Sequence, residues 1–148
     1  MGVDPTSYRT CWRVRQYELD ALGHVNNAVF LNYAEQVAIE HADAAGFGPT
    51  WTASVGGAWV VRRHEIRYHR PAYFGDELEL TTQVLEMRGA RGLRRTRVAR
   101  LPGREPIADV ETEWVWVRLP SGRPARPPAE LLAFFVSLPS PAGGAAAS

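Results

Sequence analysis

With 17 basic and 16 acidic side chains among its 148 residues, the chain has a formal net charge of +1, too near neutrality to suggest nucleic acid as a partner. Hydrophobic residues make up 45% and charged residues 22%, an ordinary globular balance, and no apolar run approaches the roughly 20 residues of a membrane span. One domain of this length buries roughly 70% of the surface its unfolded chain exposes, so a real core is available without a second domain.

The opening MGVDPTSYRT has no apolar signal core, which predicts a cytoplasmic protein. Residues 11–17 alternate as a strand. Cys11, the only cysteine, lies on it, excludes an intrachain disulfide and reads as a small buried or half-buried residue. The next stretch, ELDALGHVNN, sets an acid, a glycine, a histidine and two asparagines directly before an apolar run, with Asn26 or Asn27 as the predicted helix N-cap. Residues 27–45 form the only long predicted helix, with Phe30, Leu31, Ala34, Val37, Ala38, Ala42 and Ala45 on overlapping apolar spacings and GFGP ending it. Such a helix has little polar face. Its many alanines would let a sheet wrap closely, and a helix apolar on most sides is expected to be covered on most sides.

A Gly-rich loop is predicted over 46–57, then four strands over 58–70, 76–88, 93–100 and 107–118, separated by PAYFGD, RGARG and LPGREP. Leu78, Leu80, Thr82 and Val84 share one face against Glu77 and Glu79, and Val110, Thr112, Trp114 and Trp116 oppose Asp109, Glu111 and Glu113. One face of an antiparallel sheet is therefore apolar. SGRPARPPAELLAFF predicts a turn, a proline-rich connection and a short terminal helix, and SLPSPAGGAAAS a disordered tail. The domain spans 8–137 and the tail 138–148. The order is α+β, a curled antiparallel sheet wrapped around one long central helix.

All 17 basic residues are arginines, gathered at 62, 63, 67 and 70 and again between 88 and 100. Guanidinium forks suit a phosphorylated cofactor tail, but a solvated strand face paired with the carboxylates of ELEL and ETE is the preferred reading. His24, His41, His64 and His69 show no ligand spacing with cysteine or carboxylate, so no metal is expected.

The element order, with DALGHVNN before the helix, YAE within it and IRYHRPAYFGDEL later, resembles the hot-dog-fold acyl-CoA thioesterases of the hydroxybenzoyl-CoA thioesterase type, over roughly residues 8–135. The resemblance implies hydrolysis of an acyl-CoA or acyl-carrier-protein thioester, with no cofactor beyond the coenzyme A or phosphopantetheine of the substrate. Asp20 matches the family's catalytic carboxylate, a general base or nucleophile, although without the resemblance it reads as a turn cap. His24 would orient water or contact the thioester, or simply hydrogen-bond the backbone. Backbone N–H groups around Val25, Asn26 and Asn27 at the helix start would form the oxyanion site, and Gly23 would let the backbone approach the substrate.

Tyr33 and Glu35 are candidates for touching substrate, beside readings in which Tyr33 packs and Glu35 pairs with an arginine. A homodimer or a dimer of dimers is implied, with Arg62, Arg63 and His64 reaching the neighbouring subunit's site. Plant acyl-carrier-protein thioesterases share the Asp and HVNN but have asparagine where Leu22 stands, and the related polyketide thioesterases have asparagine in place of Asp20. Phe47, Trp51, Trp59 and the 46–57 loop would set the depth of the acyl pocket. A noncatalytic acyl-thioester binding module and a hot-dog hydratase or dehydratase are the competing readings.

Overall fold

Period-two alternation of apolar and polar side chains builds five long strands: β1 (Ser7–Arg13), β2 (Gly57–Tyr68), β3 (Glu77–Arg88), β4 (Arg91–Arg100) and β5 (Glu105–Arg118). They pair antiparallel in the order β1-β3-β4-β5-β2, and a two-residue β6 (Arg123–Pro124) adds to β5. The structure is a computed structural model that describes residues 2–136, so the segment 138–148 lies outside the described residues. The curled sheet packs its inner face on α1 (Val29–Ala44), the α+β hot-dog arrangement that the sequence led us to expect. Two shorter helices follow, α2 (Pro49–Ser54) and α3 (Ala129–Val136).

The main core lies between α1 and the strands, where Phe30, Tyr33 and Val37 meet Leu78, Leu80, Val98 and Ile107. A second cluster of Val84, Leu131 and Phe135, with Phe47, Trp51, Trp59 and Met87 packed against it, fastens α3 over the other end of the sheet. The expected alternation holds, since Leu78, Leu80, Thr82 and Val84 are all buried whereas Glu77 is exposed. Arginines on the outer face meet carboxylates: Arg91 bonds Glu113 and Glu86, Arg9 and Arg104 flank Glu79, and Arg100 binds Asp76 and Glu105. Of the second arginine cluster, Arg91, Arg95 and Arg100 are thus ion-paired, whereas Arg94 is buried.

Several expectations are corrected. The Gly-rich loop at 46–57 contains α2, with Gly48 at its N-cap and Pro49 at its first turn, where a missing N–H and fixed φ do no harm. It has no buried residue and hence no apolar period to read. Gly57 then begins β2, and it is a glycine where a Cβ would come 2.2 Å from the Trp116 ring. β1 runs over Ser7–Arg13 rather than 11–17, since Val14 N–H bonds Asp76 O and the chain turns into a 3-10 helix over Gln16–Glu18.

Cys11 is exposed, because it alternates with the inward Trp12. The N-cap of α1 is Ala28; Asn26 lies further out, accepting Ala28 N–H at its Oδ1 (3.0 Å) and Val29 N–H at its carbonyl (2.9 Å). Nor is α1 covered on most sides. It buries Phe30, Tyr33, Ala34, Val37, Ala38 and His41, leaving Asn32, Glu35, Gln36 and Ile39 exposed within one chain.

Candidate active site

Residues 18–26 fold into a small hairpin. Asn26 N–H donates to Glu18 O (2.9 Å), Asp20 N–H to His24 O (2.8 Å) and Gly23 N–H to Asp20 O (3.0 Å), while Gly23 takes φ +85° at the tip, a region where a Cβ is strained. The hairpin leans on the loop before β3: Val25 N–H reaches Ala72 O at 2.8 Å, and the His24 ring meets the edge or face of Tyr73 at 5.8 Å between centroids. In this frame the Asp20 carboxylate is held by one oxygen. Its Oδ1 accepts from Leu22 N–H (2.8 Å) and His24 N–H (3.3 Å), whereas Oδ2 takes no hydrogen bond from any described residue and faces His24 Nδ1 at 3.6 Å. Asp20 therefore does cap a turn, and it keeps a second oxygen for chemistry. Both side chains are partly exposed, 27% for Asp20 and 31% for His24, so water and ligand reach them.

The hairpin's base is fastened by a residue the sequence did not single out. Glu18 is 6% exposed and its carboxylate accepts from Arg15 N–H (2.9 Å), Arg15 Nη1 (2.9 Å) and the Tyr33 hydroxyl (2.8 Å). Burial, then the Glu18 hydrogen bond, raises the Tyr33 pKa, so the hydroxyl stays a donor. Glu18 in turn raises that of Arg15. Tyr33, 2% exposed, is thus a core residue that positions Glu18; of its two readings, packing is the one realised. A second unforeseen residue, Tyr68 at the end of β2, donates its hydroxyl to Asn27 O at 2.9 Å and pins the turn that starts α1.

Of the backbone N–H groups expected to form an oxyanion site, two are already bonded within the chain. Val25 N–H is spent on Ala72 and Asn26 N–H on Glu18, both inside the fold, so neither faces a substrate as a donor. Asn27 is exposed, and among the described residues nothing accepts its N–H. One donor of the three is available, at the positive end of α1.

The remaining candidates lie elsewhere. In β2 the register slips between Val61 and Arg63, leaving Arg62 as the extra residue of a bulge, a device that re-aims side chains. Arg62 and Arg63 are exposed and make no ion pair with any described residue. His64 points inward, half-buried, with Nδ1 2.9 Å from Thr112 Oγ1; burial lowers its pKa, and the nearby Glu35 carboxylate opposes that fall. Glu35 stands at the mouth of a chamber of about 240 Å³ between α1, α2, α3 and the sheet. Its walls include Ala38, Val84, Trp114, Leu131 and Phe135, with Phe47 and Trp59 of the three expected aromatic residues lining it and Trp51 not among them. The sheet register sets His64, Thr112 and Arg94 side by side, and of these Arg94 lines the chamber. Among the described residues no group of three or more His, Cys, Asp or Glu could hold a metal, and no helix is long and apolar enough to cross a membrane.

Residues 14–135 match the thioesterase-like superfamily. Over 110 residues the chain is 31% identical to the long-chain acyl-CoA thioesterase FadM of Escherichia coli, covering 72% of this chain and 80% of that protein. It is 30% identical over 123 residues to the chloroplastic acyl-acyl carrier protein thioesterase ATL2 of Arabidopsis thaliana, covering 83% of this chain and 65% of the relative's length. The chain thus spans somewhat under two thirds of that plant protein. A 1,4-dihydroxy-2-naphthoyl-CoA thioesterase from Synechocystis superposes with a TM-score of 0.82, over 89% of this chain and 97% of that one; at 19% identity this likeness concerns the fold.

Proposed function

Because this chain belongs to the thioesterase-like superfamily, we propose that it hydrolyses an acyl thioester of coenzyme A or of an acyl-carrier protein to the free acid and the thiol. The observation that carries the reading is the 18–26 hairpin, which fixes one oxygen of Asp20 and leaves the other unbonded just before the start of α1. In this reaction Asp20 Oδ2 takes a proton from water as the water oxygen attacks the thioester carbon. His24 orients that water across the 3.6 Å gap. The oxyanion rests on Asn27 N–H and the helix dipole, and the C–S bond breaks as the intermediate collapses, the leaving sulfur taking the proton. Direct attack by Oδ2 on the carbonyl is the nucleophilic form of the same role. Coenzyme A or phosphopantetheine arrives as part of the substrate, and no other cofactor takes part.

We assign the assembly to a homodimer, or a dimer of dimers, in which α1's open face and the edge strand β2 are covered by a second copy. Arg62 and Arg63 of one subunit would then lie near the neighbour's hairpin and hold substrate phosphates. Glu35 supports a second reading of the catalytic carboxylate, since it lines the chamber and Asp20 does not. Release of free thiol from a panel of acyl-CoA substrates tests the activity. Continuous release proportional to enzyme supports hydrolysis; tight binding of the same thioesters without release contradicts it and makes the chain a binding module.

A further inference from the structure

The chamber under α1 has a floor whose chemistry hydrolysis does not require. Arg94 sits on β4, in the middle of the sheet, and is only 9% exposed. Its Nη1 donates to His41 Nδ1 (2.9 Å) and to Thr82 Oγ1 (3.1 Å), which uses both hydrogens of that nitrogen. A guanidinium has five N–H donors and no acceptor, so those on Nε and Nη2 remain, and no described residue accepts from them.

No described carboxylate lies within ion-pair distance of Arg94 either. His41 is no counter-charge. Fully buried, it sits with Nε2 2.8 Å from Asp4 O and accepts from Arg94 as a neutral imidazole, its pKa lowered to about 4 by burial and by the Arg94 charge. Burial likewise lowers the Arg94 pKa to about 10, still charged at neutral pH. A buried cation without a partner is a standing cost to the fold, and an anion that fills the chamber removes it.

We propose that Arg94 is the specificity residue of the chamber and that the acyl group entering there ends in a carboxylate, gripped side-on by Nε–H and Nη2–H. The inference rests on the thioesterase reading and adds the class of acyl group. The free edge of the guanidinium is the fork that matches the two oxygens of a carboxylate. Trp114 lines the same chamber with a buried indole N–H that has no acceptor, a second donor awaiting an oxygen. The other walls, Ala38, Val84, Leu131 and Phe135, suit methylenes. From Val29 to Glu35 at the chamber mouth the helix rises about 9 Å at ~1.5 Å per residue, so several methylenes separate a carbonyl at the helix start from the arginine. A medium-chain ω-carboxyacyl thioester meets these conditions.

The test compares hydrolysis of suberyl-CoA and octanoyl-CoA, equal in carbon number and differing in the terminal carboxylate. In parallel, monomethyl suberate and methyl octanoate are titrated calorimetrically into wild type, Arg94→Met and Arg94→Lys. Wild type should favour the carboxylate-bearing member of each pair by about tenfold or more, Arg94→Met should lose that preference, and Arg94→Lys should keep part of it. If no thioester is hydrolysed, the hydrolytic reading fails while the calorimetric pair still decides the role of Arg94. Should Arg94→Met fail to fold, the wild-type preference and the lysine variant decide. Equal or reversed preference in wild type, or one unchanged in Arg94→Met, overturns the proposal.

Discussion

Glu18 holds the site without facing a substrate. Its carboxylate is buried and meets three donors, so removing any one leaves a desolvated acceptor short of a partner. Tyr33→Phe should therefore lower stability by about 1–3 kcal/mol, read from the urea midpoint at constant slope; an unchanged midpoint would show that this hydrogen bond adds nothing. Asp20 stood out in the sequence as a candidate because DALGHVNN resembles a family motif. Glu18, two positions earlier, was not, because a glutamate in a polar stretch gives no sign that a tyrosine from the next helix will close over it. His41 was likewise named only as a histidine without ligand spacing. With a native pKa of about 4 against 6.5 unfolded, its unfolded form binds the extra proton between those values. Its contribution is thus complete above about pH 6.5 and is lost as pH falls towards 4, an upper limit of about 3 kcal/mol. Denaturant titrations at pH 7 and pH 4.5 check this; equal midpoints would mean that His41 is not buried neutral.

At the scale of elements, the hairpin is the part whose geometry matters most. Gly23→Ala puts a Cβ where no other atom lies within 4 Å, so its cost is backbone strain at φ +85°, roughly 1–2 kcal/mol. Because the strain falls between Asp20 and His24, kcat should drop by about tenfold or more while the melting temperature shifts only modestly. A variant with wild-type kcat and lowered stability would separate the hairpin's conformation from catalysis. The strands and α1 were readable because their apolar periods extend over ten or more residues. α2 was not: six residues with none buried carry no period, and glycines at both ends imitate a loop. The N-cap was misplaced because an asparagine can serve a helix from outside its first turn, as Asn26 does.

For the whole molecule, the open side of α1 is the largest departure from expectation. An apolar, alanine-rich helix pointed to cover on most sides, yet one chain covers one face and leaves Ile39 at 38% exposure beside Glu35 and Gln36. Tyr17, Leu22, Tyr73 and Phe74 around the hairpin are also exposed, from 46% to 81%. Apolar groups of this extent on a small protein signal an interface. Sedimentation at micromolar concentration should accordingly return a dimer or a larger even assembly, and an active monomer would require the site to be completed by one chain. The curled sheet was legible from strand order alone; a dimer was expected from the family resemblance, because period and propensity describe a chain and not its neighbours.

The proposed hydrolysis depends most on Asp20. Turnover of an accepted acyl-CoA by Asp20→Asn and by Glu35→Gln, each shown to be folded by circular dichroism, tests it directly. Asp20→Asn should lower kcat by roughly two to four orders of magnitude, and Glu35→Gln should stay within about tenfold of wild type. Near-normal turnover in folded Asp20→Asn, with the loss appearing in Glu35→Gln, would move the catalytic carboxylate from the hairpin to the mouth of the chamber and contradict the account.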